Sequence, residues 1–594
     1  MATQSVASGQ STGRRPRLNT DVPQMWMGIA FVVLTVCIPD MMGNPYWTHS
    51  FQLVNLFVLV AVLQNILGHD AGQVSFGQSA IFGMGAYMAA IASGIHGLNY
   101  GWGILFGVTC AGIAGLLYAA PALRVQGFYL GFVTLSAGTV FPELLVAFNK
   151  YTNGINGISI AFPGWHQKAF LGLSWLSIAV VVLTCGALVF HVYLRTTSLG
   201  RSMRMAAQSP EAAQSLGVSP GWMRAVAFLV TAIGTGMAGI LYPPIVGFVS
   251  PAAFSLELSI VFFFAMIVGG QGYIFGPVVG VVLLYLLPNV LLVEFVNYRM
   301  LAYGTAALLV MLAFPDGIVG TIEKWRHRRV QTADRLDIRL DSVLGPPTGI
   351  KLQPTTEVVI DVKKGRKTFG SVVAIDDVDM QVVRGEIHGL VGANGSGKTS
   401  LLNVLNGFSR LNGGSVSIFG SNVTAMPAHR IAHLGVGRTF QTPRIFNSMS
   451  LWENVEIGLD AQSEREGKAV AAPEMIAAMK ESMTDKSVEL IPHGQRRLIE
   501  VMRVVLKGAD ILFLDEPAAG LSPMEREEFK ALLRRLRDEM GKTIVLVEHD
   551  LGLVWDIADR ITVLEAGKVM AQGDPNEIKS NPAVRKLFIE PTHA

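Results

Sequence analysis

The chain has 594 residues, 51% of them hydrophobic and only 15% charged, with a formal net charge of +3. That length exceeds a single domain, that hydrophobic share is unlike a soluble protein, and so small a net charge argues against nucleic-acid binding. Charge is also segregated: before Lys324 the only acidic residues are Asp21, Asp40, Asp70, Glu143, Glu211, Glu257, Glu294, Asp316 and Glu323, so most of the 44 lie further on. The pattern predicts a membrane half followed by a soluble half.

Residues 1–24 read as a polar tail carrying Arg14, Arg15 and Arg17. Apolar runs follow near 25–40, 51–68, 73–95, 101–120, 127–148, 170–194, 223–247, 254–270, 274–293 and 299–315. Each is close to the roughly 20 residues that a helix needs to cross a bilayer. Ten spans put both ends on one side. Arg14, Arg15, Arg17, Arg124, Arg195, Arg201, Arg204, Arg224, Lys324, Arg326, Arg328 and Arg329 then fall on that side, against Lys150, Lys168 and Arg299 on the other. The positive-inside rule makes the first side cytoplasmic. The membrane domain is expected over 25–323. Cys37, Cys110 and Cys185 sit in apolar runs without metal-ligand spacing and read as buried thiols. Glycines from Gly72 to Gly85 and at Gly234, Gly236 and Gly239 predict close helix packing. Gln73 and Gln78 are candidates for a pathway, while Glu143 and Glu257 read as solvated helix ends.

The loop Arg195–Pro220 carries a local helix signal. Ser209 can cap a helix, Pro210 suits its first turn, and the helix is expected to run to about Leu216 and stop at Gly217. Glu211-Ala212-Ala213 followed by Gly217 resembles the loop by which membrane subunits of ABC importers dock into their ATPase. Leu216-Gly-Val, Gly247-Phe-Val-Ser-Pro251, Val268-Gly-Gly-Gln-Gly272 and Gly276-Pro277 resemble the permeases of the branched-chain amino acid importer family, from about residue 50 to 315. Residues 324–357, with Gly345-Pro-Pro-Thr-Gly349, read as a linker.

The soluble domain is expected over 358–594. Its centre is Gly392-Ala-Asn394-Gly395-Ser396-Gly397-Lys398-Thr399-Ser400, a full G-x-x-x-x-G-K-[ST] motif between an apolar strand from Ile387 and a helix from Leu401. The glycines let backbone amides close on phosphate oxygens, and the helix N-terminus adds positive potential. Lys398 is expected on the β- and γ-phosphates and Thr399 on Mg²⁺. Ile511-Leu-Phe-Leu-Asp515-Glu516 is an apolar strand ending in two carboxylates, Asp515 to hold Mg²⁺ and Glu516 to polarise the attacking water. Further resemblance to ABC ATPases assigns Gln441, in Gly437-Arg-Thr-Phe-Gln441, to the metal or the water, and His549 to the γ-phosphate. It assigns Ala519–Pro523 to the dimer interface, and the ending Asn581–Phe588 again resembles the branched-chain ATPases. Phe369 is a candidate adenine platform or a core residue. Where the family carries Leu-Ser-Gly-Gly-Gln, this chain has Ile491-Pro492-His493-Gly494-Gln495, which keeps Gly494 and Gln495 for the partner's nucleotide and loses the serine.

The expected architecture is a membrane all-α permease domain of about ten transmembrane helices followed by an α/β P-loop ABC ATPase domain. The resemblance implies ATP-driven import of a small polar or amino-acid solute, branched-chain amino acids first. Urea, amides and other small organic solutes are the alternative cargo, and an ABC exporter half-transporter is the rival reading. It also implies ATP and Mg²⁺, a second permease and a second ATPase on different chains, and a periplasmic binding protein. The expected setting is a bacterial inner membrane, with both termini and the ATPase cytoplasmic.

Overall fold

A computed structural model describes residues 20–125, 127–160, 163–291, 298–328, 352, 355–463, 473–483, 488, 491–549 and 551–588. Each apolar run of the first half forms a helix. Among the described residues seven helical stretches are long and apolar enough to cross a membrane: Asp21–Met41, Pro45–Asp70, Tyr100–Ala122, Tyr129–Ala147, Trp175–Thr196, Pro220–Val246 and Pro251–Gly270. The other three are shorter than expected. Gln78–Ala90 has 13 residues and runs into a five-residue π-helical segment, Ile91–Ile95. Gly276–Val281 opens into the π-helical Val282–Leu291, which contains Pro288. Arg299–Ala313 has 15 residues. Proline has no N–H to donate and its ring crowds the preceding turn, so the helix widens there rather than continuing as a regular span.

Small residues set the core of this bundle. A Cβ added at Gly85 would lie 2.2 Å from the Gly236 carbonyl oxygen, and one at Gly239 would lie 1.9 Å from that of Phe82. The backbones of Gln78–Ala90 and Pro220–Val246 therefore touch, which only glycine permits. Gln78, 1% exposed, accepts from Thr235 at 2.9 Å, and Gln73 donates to the Ala71 carbonyl at 2.8 Å. Glu143 is exposed near the end of its helix, and Glu257 lies in the first turn of Leu256–Gly270.

The second half is built on two sheets. The larger has the strand order Lys568–Gly573, Arg560–Glu565, Ile387–Gly392, Thr543–Val547, Ile511–Asp515, Val436–Arg438, parallel except for the first pair. The smaller is antiparallel, in the order Val372–Val383, Val358–Phe369, Gly413–Ile418, Ser421–Asn422. All six residues of Ile387–Gly392 and all five of Ile511–Asp515 are buried, as expected for parallel strands covered on both faces. In the register Val547 pairs with both Asp515 and Leu390, so the P-loop, Asp515 and the approach to His549 leave the sheet at the same edge. The helix Gly317–Arg328 runs past residue 324, where the linker was expected to start. The N-terminal tail up to residue 19 and most of the linker lie outside the described residues.

Candidate functional site

The P-loop is shaped by its glycines. Gly397 has φ +103°, and a Cβ there would lie 2.4 Å from the Ala374 carbonyl oxygen. Lys398 opens the helix Lys398–Leu405 and folds back over the loop, its Nζ donating to the carbonyls of Gly392 at 2.8 Å and Ala393 at 3.0 Å. Burial pushes its pKa down, against the pull of Glu516 and Asp515. Ser396 is buried, with a hydroxyl that has no partner among the described residues. Asn394, Gly395 and Thr399 are exposed around it and Ser400 is half-buried. An orphaned hydroxyl, a glycine-lined cradle and a lysine held at its rim fit a nucleotide phosphate chain.

Two carboxylates stand across from the loop. Asp515 is 5% exposed and lies 3.4 Å from the Arg438 guanidinium. Burial pushes its carboxyl above the usual range, against that guanidinium. Glu516 has φ +46°, in the left-handed region that non-glycine residues seldom occupy, and its N–H donates to the Val547 carbonyl at 2.8 Å. Holding a side chain there costs roughly 1–3 kcal/mol, and such strain clusters at active sites. Gln441 Nε2 donates to Glu516 Oε2 at 2.8 Å, and His549 Nδ1 lies 3.8 Å from the same oxygen. Glu516, Gln441 and His549 thus meet at one carboxylate. The Thr399 hydroxyl, the Asp515 carboxylate and the Gln441 amide offer oxygen donors of the kind that Mg²⁺ takes. Phe369 is 52% exposed at the end of its strand, with Lys367 Nζ 4.9 Å from its ring centroid, so it is not a core residue.

Pro492 is the N-cap of the helix His493–Leu506 and provides no side-chain cap. Gly494 sits against Glu525, whose Oε1 would be 2.9 Å from an added Cβ. This helix carries residues to which the sequence reading gave no role. Arg497 is 1% exposed and donates to the carbonyls of Phe440 at 3.2 Å, Asp515 at 3.3 Å and Gln441 at 2.8 Å. It therefore joins the helix His493–Leu506 to both candidate metal-site segments. Glu500 accepts from the amides of Phe440 and Arg444, both at 3.3 Å, and burial pushes it up to about 7. Lys507, just past the helix, donates to the carbonyls of Val436 and Ser215, both at 2.8 Å.

Ser215 belongs to the membrane half. Its helix, Pro210–Ser215, starts from Ser209, whose Oγ accepts from the Ala212 N–H at 3.4 Å. Ala212 is 2% exposed and Ala213 fully buried; with Leu216 they pack against Phe440, Phe446, Met449 and Ile457 of the ATPase half. Glu211 lies 3.3 Å from Arg444, and the Gly217 carbonyl accepts from His433 Nε2 at 3.0 Å. The Gln441 segment is thus in contact with the nucleotide site on one side and the membrane loop on the other.

Comparison with known proteins agrees with this division. Residues 47–314 match a family described as branched-chain amino acid transport system / permease component, and residues 375–519 match the ABC transporter family. The high-affinity branched-chain amino acid transport ATP-binding protein BraF of Pseudomonas aeruginosa is 34% identical over 248 residues, 39% of this chain and 97% of the relative. The chain belongs to the branched-chain amino acid ABC transport family. LivG of Escherichia coli, another high-affinity branched-chain amino acid transport ATP-binding protein, is 34% identical over 240 residues, 37% of this chain and 93% of its own. The crystal structure of a nucleotide-free ATP-binding cassette from an ABC transporter shares 26% identity, over 39% of this chain and 98% of that one, with a TM-score of 0.34. This member of the branched-chain family joins permease and ATPase in one chain. It is a membrane protein that binds and hydrolyses ATP, coupled to transport.

Proposed function

We propose that this chain drives the import of leucine, isoleucine and valine across a bacterial inner membrane. The observation that carries the coupling is the burial of Ala212 and Ala213 in the ATPase half, beside Phe440 of the Gln441 segment. The names of the BraF and LivG relatives support the substrate class. The alternation of helix ends supports cytoplasmic termini. Arg195 reaches Asp21 and Asp70 at one end of the bundle, the end docked on the ATPase, whereas Lys168 and Ser174 reach Asp40 at the other.

In this reading Lys398 and the P-loop amides bind the phosphates, with Ser396 completing the cradle. Thr399 and Asp515 hold Mg²⁺, whose charge offsets that of the phosphates. Glu516 takes the proton of the attacking water, Gln441 and His549 orient it, and Phe369 offers a face to adenine. Two ATPase domains enclose two ATP molecules, so Gly494 and Gln495 serve the partner's site. The remaining permease and ATPase are different chains, and a periplasmic protein delivers the solute. The test is ATP-dependent accumulation of labelled leucine in vesicles carrying the assembled transporter. Uptake is expected to vanish in Lys398→Ala, which removes a charge from the phosphates. Uptake of urea or amides in place of leucine overturns the substrate class.

The two ATP sites are unequal in this reading. Pro492 has neither the hydroxyl nor the N–H that the family's serine presents to the γ-phosphate. A hydrogen bond to a charged group contributes about 1.5–3 kcal/mol, roughly ten- to hundredfold at the partner's site. Glu516→Gln is therefore expected to remove more turnover than the matching change in the partner, and Pro492→Ser to narrow the gap. Equal losses from the two base substitutions, measured as phosphate release by the complex, refute the asymmetry.

A further inference from the structure

The helix Ser198–Gln208, immediately before the docked loop, grips the ATPase by charge in addition to the apolar packing of Met205 and Ala206 against Phe440, Phe446, Met449 and Ile457. Arg201, 8% exposed, sends Nε and NH2 to the two oxygens of Asp460 at 2.7 and 2.8 Å. Arg204, 5% exposed, reaches Glu453 Oε1 at 2.7 Å, and its NH2 also donates to the Arg195 carbonyl at 2.9 Å. Arg195 continues inward. Its NH2 lies 3.1 Å from Asp70 Oδ1, while His191 Nε2 lies 2.8 Å from Asp70 Oδ2. Asp70 is 1% exposed and His191 fully buried. The same helix touches the backbone beyond Asp70, since a Cβ on Gly72 would lie 2.9 Å from that of Ala207.

Asp70 stands where the second membrane helix ends in a π-helical turn, Ile66–Asp70. Residues 72–77 then have no regular structure until Gln78 begins the third helix. Charged groups buried in a membrane domain are costly and mark function. A bidentate arginine–carboxylate pair fixes orientation as well as distance, so it transmits a displacement that an apolar contact absorbs by sliding.

We propose that Ser198–Gln208, with Arg195 and Asp70 behind it, is a second coupling element that carries ATPase movement to the break at residues 70–77. The proposal rests on reading the chain as an ATP-driven importer. Arg195 and Asp70 are positioning residues and touch no ATP ligand.

The test compares leucine taken up per ATP hydrolysed by the assembled transporter in proteoliposomes. Asp70→Asn is expected to keep hydrolysis within about twofold while uptake per ATP falls at least about tenfold. Arg195→Lys, which keeps the charge but loses the two-point pairing with Asp70, is expected to give an intermediate ratio. Glu453→Gln lies outside the bilayer and still accepts from the Ser450 N–H, which Glu453 does at 2.8 Å, so it tests the outer link without unfolding the inner one. It is expected to lower the ratio severalfold, and it decides alone if Asp70→Asn does not assemble. A second readout needs no solute. A Ser75→Cys thiol, in a chain whose three own cysteines are replaced, is labelled with a maleimide with and without ATP. ATP is expected to change the labelling rate in the parent and not in Asp70→Asn or Glu453→Gln. An unchanged ratio and a surviving ATP response in these variants overturn the proposal, as does a parallel fall of hydrolysis and uptake. ATP-dependent labelling without leucine uptake in the parent refutes the substrate reading instead.

Discussion

Glu516→Gln is expected to leave ATP bound and to lower turnover by about a hundred- to ten-thousandfold, the range that a positioned general base contributes. That loss corresponds to about 2.7–5.5 kcal/mol of barrier. The carboxylate is aimed by its backbone: φ +46° and the Val547 hydrogen bond turn it away from the strand. Gln441 at 2.8 Å and His549 at 3.8 Å hold one of its oxygens, leaving the other for water. An amide fits the same space and can still accept from Gln441, but it cannot take the proton. Lys398, Ser396 and the P-loop amides are untouched, so affinity is retained. Phosphate release and nucleotide occupancy, measured on the same sample of the assembled transporter, separate the two effects. Hydrolysis equal to that of the parent removes Glu516 as the base.

Gly217→Val is expected to lower uptake about tenfold or more while ATP hydrolysis by the assembled transporter continues. Gly217 has φ +98°, a conformation that a β-branched residue pays for at roughly 1–3 kcal/mol. An added Cβ would also lie 2.9 Å from His433 Cε1, in the ring that donates to the Gly217 carbonyl. Both effects push the end of Pro210–Ser215 away from the ATPase, and neither reaches Lys398, Asp515 or Glu516. Gly217→Ala keeps the strain with less bulk and is expected to fall between. Unimpaired uptake by Gly217→Val at normal expression means that this loop does not couple the two halves.

Much of the site was legible because its chemistry is local. Gly392 to Ser400 is one contiguous stretch, and each glycine answers a backbone demand made by its neighbours. Asp515 and Glu516 follow an apolar run, so the strand and its acidic end are read together. Ser209, Pro210 and Gly217 announce a short helix by capping chemistry alone. The full-length spans were legible for a similar reason: hydrophobic length is additive along the chain, whatever it packs against. Where a proline interrupted that length, at Pro288, the apolar run was visible but the π-helical turn was not.

What the sequence alone determined was the two-part plan, the nucleotide motif and the loop's local form. Only the tertiary structure decided which charges answer one another. Arg195 and Asp70 are 125 residues apart, Arg204 and Glu453 are 249, and Lys507 and the Ser215 carbonyl are 292. Nothing near any of them in sequence marks its partner. A lone buried arginine such as Arg497 carries no signal, because its three acceptors are backbone carbonyls, which every residue has. Capping, periodicity and glycine geometry are written in neighbouring residues. The pairing of buried charges is set by which helix ends the fold brings together, since burial tolerates a charge only where a partner meets it.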